Sequence, residues 1–177
     1  MYKLEEIDRR VRLFRRGQRV LDLGAFPGSW TLYAAGKVGR EGRVLGIDLQ
    51  EHAGALPPNA QMRTADVSTL VPSELGTFDV VLSDMAPSTI GERGADMFRS
   101  YELFMRALEV AVAVLAPGGT FVGKIFQGGE FPDAKRAVQQ SFAHVRIIKP
   151  EASRKESYEI FLVGLEFRGH LPKPPNS

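Results

Sequence analysis

The 177-residue chain contains no cysteine. That excludes disulfides and thiolate metal ligands, and it fits a reducing compartment such as the cytoplasm. Its three histidines, His52, His144 and His170, are scattered along the chain. They offer no ligand set for structural zinc, and no metal is expected. No apolar run approaches the roughly eighteen residues needed to cross a membrane, and the first residues lack the apolar segment of a secretory leader. Neither an internal repeat nor a low-complexity segment is visible. With 44% hydrophobic and 25% charged residues, the composition is that of an ordinary globular protein. The length suits a single domain over residues 1–177 with a proper core.

Net charge is only +2, yet it is unevenly spread. Residues 1–19 hold seven basic residues (Lys3, Arg9, Arg10, Arg12, Arg15, Arg16, Arg19) against three acids. A second basic group comprises Lys149, Arg154 and Lys155. Basic clusters at both ends of a near-neutral chain point to a polyanionic partner, nucleic acid before membrane, although solvated surface charge explains them equally well.

Hydrophobic periodicity orders the chain into alternating elements. Leu4, Ile7, Val11 and Phe14 predict an amphipathic helix over Lys3–Phe14, within a basic N-terminal segment of residues 1–17. Strands follow at Arg19–Leu23, Arg43–Asp48, Ala60–Thr64 and Phe78–Ser83, with a helix over Ser29–Val38 after the first. The longest helix is expected from about Asp96 to Leu115, striped by Tyr101, Phe104, Leu108, Val112 and Leu115. Pro117-Gly118-Gly119 should then break it and feed a strand at Thr120–Phe126. A helix at Pro132–Phe142 precedes strands at Val145–Ile148 and Tyr158–Phe167, paired as a hairpin. Residues 168–177 carry three prolines in the last six positions and read as a loose tail. The fold class expected is α/β: a Rossmann-like, seven-stranded, mostly parallel sheet with one antiparallel strand.

The stretch from Val20 to Trp30 (V-L-D-L-G-A-F-P-G-S-W) is a strand, a glycine-proline loop and a helix start. α/β proteins hold nucleotide-like ligands on such a unit. A dinucleotide fingerprint needs glycine at a third place, where Phe26 stands here between Gly24 and Gly28. The phosphate loop G-x-x-x-x-G-K-[ST] is also missing, so neither NAD nor ATP is supported. Asp48 ends the second strand 20 residues after Gly28, where a carboxylate can accept ribose hydroxyls. Asp66 follows the third strand and could take an adenine amino hydrogen. Asp22 and Asp84 belong to the first and fourth strands. Each acid taken singly reads best as a cap or loop residue. Together they would repel pyrophosphate and suit a cationic ligand, and S-adenosylmethionine, with its sulfonium, ammonium, ribose and adenine, has that chemistry. Lys124, inside G-T-F-V-G-K-I-F, and Glu159, in an apolar last strand, must be buried, paired or functional.

D-L-G-A-F-P-G-S-W, S-D-M-A-P, G-K-I-F and S-R-K-E-S-Y-E-I-F together resemble the FtsJ/RrmJ-type ribosomal RNA 2′-O-methyltransferases, from about Lys3 to Gly164. The resemblance implies a class I S-adenosylmethionine-dependent methyltransferase fold. Its catalytic K-D-K-E tetrad falls on Lys3, Asp84, Lys124 and Glu159, with Lys124 as proton acceptor. Its cofactor site falls on Gly28, Trp30, Asp48, Asp66 and Asp84, and Gly24 opens the same loop. Ser153, Arg154 and Lys155 would touch RNA phosphates. Phe26 and Ser29 are minor departures from the family's glycine motif. The family usually carries a further basic segment ahead of Y-K-L, which is either missing here or marks a short form. The chemistry is coherent: a ribose hydroxyl is a poor nucleophile at neutral pH and needs a positioned base. A lysine serves once burial or a second cation favours its neutral form.

The function expected is therefore 2′-O-methylation of RNA by a cytoplasmic, monomeric enzyme, on a uridine of large-subunit ribosomal RNA, free or in the assembled subunit. Transfer RNA or an mRNA cap as target, and a non-catalytic RNA-binding or assembly factor, stand as alternatives. A small-molecule O-methyltransferase fits the basic ends less well.

Overall fold

A computed structural model describes residues 2–88, 90–151 and 158–169. Its elements run α1 (Tyr2–Val11), β1 (Arg19–Leu23), α2 (Ser29–Val38), β2 (Arg43–Asp48), β3 (Ala60–Thr64), β4 (Phe78–Ser83), α3 (Arg93–Val114), β5 (Leu115–Phe126), α4 (Phe131–Ser141), β6 (Phe142–Ile148) and β7 (Glu159–Phe167). One sheet of seven strands has the order β3-β2-β1-β4-β5-β7-β6. The first five strands in that row pair parallel, and β7 runs against both of its neighbours. This is the expected Rossmann-like sheet with one antiparallel strand.

Side chains alternate across a strand, and here the alternation sorts the core into two layers. Leu21, Leu23, Val81, Phe121 and Ile125 face α3 and α4. Val20, Val80, Leu82, Val122, Phe161 and Val163 face Leu4 and Ile7 of α1 and Ala34 and Val38 of α2. Phe104 of α3 packs edge-on to Phe121 at 5.6 Å and is 1% exposed. That contact leaves no room at Gly123, where an added Cβ would lie 2.6 Å from the Phe104 ring.

Four elements depart from the sequence expectation. α1 ends at Val11 rather than Phe14, because Arg12 takes a left-handed φ of 53° and its N–H closes on the Asp8 carbonyl at 2.7 Å. The Asp8 carboxylate then accepts the Phe14 N–H and the Tyr33 hydroxyl, tying the connection to α2. α3 starts three residues early, at Arg93, and passes into β5 at Leu115 with no break. Pro117-Gly118-Gly119 lies inside β5 as an irregularity, since Phe78 pairs with Leu115 but Val80 with Thr120. β6 takes over at Phe142, where α4 stops. Among the described residues, no helix is long and apolar enough to cross a membrane. Residues 170–177 of the expected tail, and Ser153, Arg154 and Lys155, lie outside the described residues.

Candidate active site

Strand register explains how four distant residues meet. Val80, Leu82 and Asp84 alternate onto the α1 side of β4, as Val122 and Lys124 do on β5. Ser83 pairs with Gly123, so the next residues, Asp84 and Lys124, stand side by side at the carboxyl end of the sheet. On β7, Lys124 faces Phe161 directly and Glu159 diagonally, within reach of a long side chain. Lys3 descends from the first turn of α1, whose Leu4 and Ile7 are fully buried on the same face.

The result is a row of alternating charges. Lys3 Nζ donates to Glu159 Oε1 at 2.6 Å. Glu159 Oε2 lies 3.9 Å from Lys124 Nζ, which lies 3.1 Å from Asp84 Oδ1. The Lys124–Asp84 contact is an ion pair off the hydrogen-bond direction, since Asp84 Oδ1 has no aligned donor. Lys124 is 8% and Glu159 4% exposed, so each charge depends on its partners to offset desolvation. Burial raises the Asp84 carboxyl above the ordinary range, against the pull of Lys124 and then Lys3, with Glu159 adding to the rise. Lys149, from the end of β6, donates Nζ to the Glu159 carbonyl. Its sequence signal was only that of a surface basic group; a residue just past a strand that pairs with β7 belongs near this cleft.

Beside this row, β1 opens into the glycine loop. Gly24 (φ 75°) adopts a backbone conformation that glycine tolerates, and a Cβ there would lie 2.5 Å from Met85 Cγ. Gly28 (φ 112°) caps α2 directly against His52, 3.1 Å from the position a Cβ would take. His52 also contacts the Pro27 carbonyl through Nδ1 at 3.2 Å; a lone histidine in a loop carries no pattern that foretells this place against the glycine turn. Asp48 holds the loop from β2, accepting the Phe26 N–H at 3.0 Å and the Gln50 N–H at 2.9 Å. Asp66 caps the short helical turn Val67–Thr69 through the Ser68 N–H and hydroxyl, which lower its pKa. Trp30, in the first turn of α2, is a core residue by its side chain, with its ring 5.8 Å from Phe161.

Asp22 is the most deeply buried acid among the described residues. It is fully buried, accepts the Thr31 hydroxyl at 2.8 Å through Oδ2, and leaves Oδ1 without a partner. Burial, with smaller contributions from Asp84 and Asp48 and against the Thr31 hydrogen bond, pushes its pKa up to about 7. The sequence signal was there: an acid inside V-L-D-L has no solvent to face.

A doubly layered Rossmann-like sheet with a glycine loop after its first strand and charged side chains at its carboxyl edge is the framework of a class I methyltransferase. The FtsJ-like methyltransferase family model matches residues 1–167, and the chain belongs to that family. The Ribosomal RNA large subunit methyltransferase E of Sorangium cellulosum (strain So ce56) is 55% identical over 169 residues, covering 94% of this chain and 80% of that protein. The protein of the same name from Nitratidesulfovibrio vulgaris (strain DP4) is 48% identical over 175 residues, covering 96% and 86%. A Plasmodium falciparum crystal structure assigned as a ribosomal RNA methyltransferase superposes with a TM-score of 0.81 at 25% identity, over 96% of this chain and 97% of that one.

Proposed function

We propose that this chain transfers a methyl group from S-adenosylmethionine to a ribose 2′-hydroxyl of ribosomal RNA, on a uridine of the large subunit, in the cytoplasm. The observation that carries the reading is the row Lys3–Glu159–Lys124–Asp84, buried at its two central members, beside a glycine loop ringed by carboxylates. Relatives about half identical to the chain and named for ribosomal RNA of the large subunit support the substrate class.

The loop residues fit the cofactor. Gly24 and Gly28 let the loop backbone pass close against Met85 and His52, which a Cβ would crowd, and the unpartnered Asp22 Oδ1 together with Asp48 and Asp84 favours a cationic ligand over a phosphate. Asp48 would hold ribose hydroxyls, Asp66 an adenine amino group, and the backbone of Gly28 and Trp30 the opposite end. When bound, S-adenosylmethionine supplies an electrophilic methyl group on a positively charged sulfur.

The chain's own residues prepare the nucleophile. Lys124 Nζ, in its neutral form, takes the proton of the ribose hydroxyl as oxygen attacks. Asp84 and Glu159 fix the direction of Nζ, and Lys3 is joined to the same row through Glu159. Orientation by this row contributes to the rate because an in-line displacement is sensitive to alignment.

The test is tritiated methyl incorporation from S-adenosylmethionine into large ribosomal subunits and their deproteinised RNA, with 2′-O-methyl positions then mapped. Incorporation at a single uridine ribose is the expected result. Incorporation only into transfer RNA or capped RNA would move the target, and none into any RNA would leave a binding or assembly role.

A further inference from the structure

The opposite end of the sheet carries charge that the methyl-transfer cleft does not use. The link from α1 to β1 packs on the turn from α2 to β2: the Gly17 N–H donates to the Val38 carbonyl at 2.8 Å and the Arg43 N–H to the Gln18 carbonyl at 3.0 Å. These two contacts bring the segment that carries Arg15 and Arg16 beside the turn that carries Arg40 and Arg43; these four and Arg12 are all exposed. A groove of about 550 Å³ runs along Arg12, Arg15 and Arg16 to His144. A second, of about 470 Å³, begins at Arg19 and Arg43 and runs past Arg63.

The acids nearby do not neutralise this surface. Asp79 is held by Arg19, accepting its backbone N–H at 2.8 Å, and Glu166 faces His144 at 3.7 Å. Glu41 alone stands in the turn that carries Arg40 and Arg43. Among the described residues, Arg12, Arg15, Arg16, Arg40 and Arg43 have no carboxylate within ion-pair distance. Five uncompensated guanidinium groups on one edge repel each other, and they lower that cost by meeting an anion. Every basic residue in the set is arginine, whose planar fork matches phosphate oxygens in pairs.

We infer that this arginine edge is a second RNA-binding surface, which grips the sugar-phosphate backbone of the RNA well away from the reacting nucleotide. The inference rests on the proposed RNA substrate and extends it: the RNA must continue past the cleft. α1 provides the path, with Lys3 at the cleft, Arg9 exposed midway, and Arg12 at the far end. By helical rise the two ends lie about 14 Å apart. Contacts there carry no base information; they add affinity and register.

The test compares the full chain with an Arg15→Gln, Arg16→Gln, Arg40→Gln variant. RNA stem-loops lengthened stepwise beyond the target nucleotide serve as ligand, at several salt concentrations. The wild type should gain affinity as the RNA lengthens. The variant should not, and should bind the longest RNA roughly 10 to 100-fold more weakly, with its log-affinity against log-salt slope reduced by about 2 to 3. Its KM for long RNA should rise while kcat and cofactor affinity hold. Equal affinity and slope for the two proteins would overturn the inference. So would a loss confined to an acidic peptide or anionic vesicles. A wild type that binds RNA through this edge yet methylates none would leave the surface standing and remove the proposed reaction. A wild type that binds no RNA would remove both.

Discussion

The two ends of this sheet hold their charges in opposite ways. At the carboxyl end, Lys124 and Glu159 are buried, and each charge is tied to another of opposite sign. At the amino end, the arginines of the 12–16 segment and of the 40–43 turn are exposed and uncompensated. Burial makes a charge directional, because a desolvated group must keep its partners and their geometry. Exposure leaves a charge free to meet any phosphate that diffuses near. The proposed chemistry uses the first arrangement and the proposed grip the second.

The contrast is sharpest in stability. Glu159→Gln removes the carboxylate that separates Lys3 from Lys124 and should cost about 3 kcal/mol in urea unfolding, since two cations then share a buried edge. A loss under about 0.5 kcal/mol would show that the row is not electrostatically coupled. Gly24→Ala comes next: strain at φ 75° and the clash with Met85 should cost about 1 to 2 kcal/mol. It should also weaken S-adenosylmethionine binding at least roughly tenfold by calorimetry, because the backbone must shift where the cofactor would approach. At the other end, the triple arginine variant should unfold within about 0.5 kcal/mol of wild type; a larger change would mean that these arginines are structural.

Asp22 gives the carboxyl end a pH signature. Its pKa is raised from 3.8 to about 7, so between those values the folded protein binds a proton that the unfolded chain has released. Stability from this group is therefore complete at low pH and is lost as pH rises toward 7. The Asp84 carboxyl is shifted in the same direction. Asp22→Asn should flatten the dependence of thermal stability between about pH 4 and about pH 7 and leave the variant at least as stable as wild type at the upper end. An unchanged slope would place the titration elsewhere.

Much of the carboxyl end was legible in the chain. Charged residues inside apolar strands, Asp22 in V-L-D-L and Lys124 in G-K-I-F, cannot be ordinary surface positions. The β strands were legible because parallel strands buried on both faces read as continuous apolar runs. Lys3 was not: a lysine at a helix start has no pattern of its own, and only the family resemblance singled it out. Helix ends set by single backbone conformations, such as Arg12 at φ 53°, escape periodicity altogether. The arginine edge was half visible. The 12–16 cluster stood out by composition, but Arg40 and Arg43 join it only through two hydrogen bonds between a loop and a turn.

The central claim is that Lys124 acts as the proton acceptor while other groups hold cofactor and RNA. It is tested most directly by single-turnover methyl transfer with Lys124→Ala, measured beside S-adenosylmethionine and RNA affinities on the same preparation. The expected result is a rate loss of about 10²-fold or more, with both affinities within roughly threefold of wild type. A variant that transfers methyl groups at the wild-type rate would contradict the account.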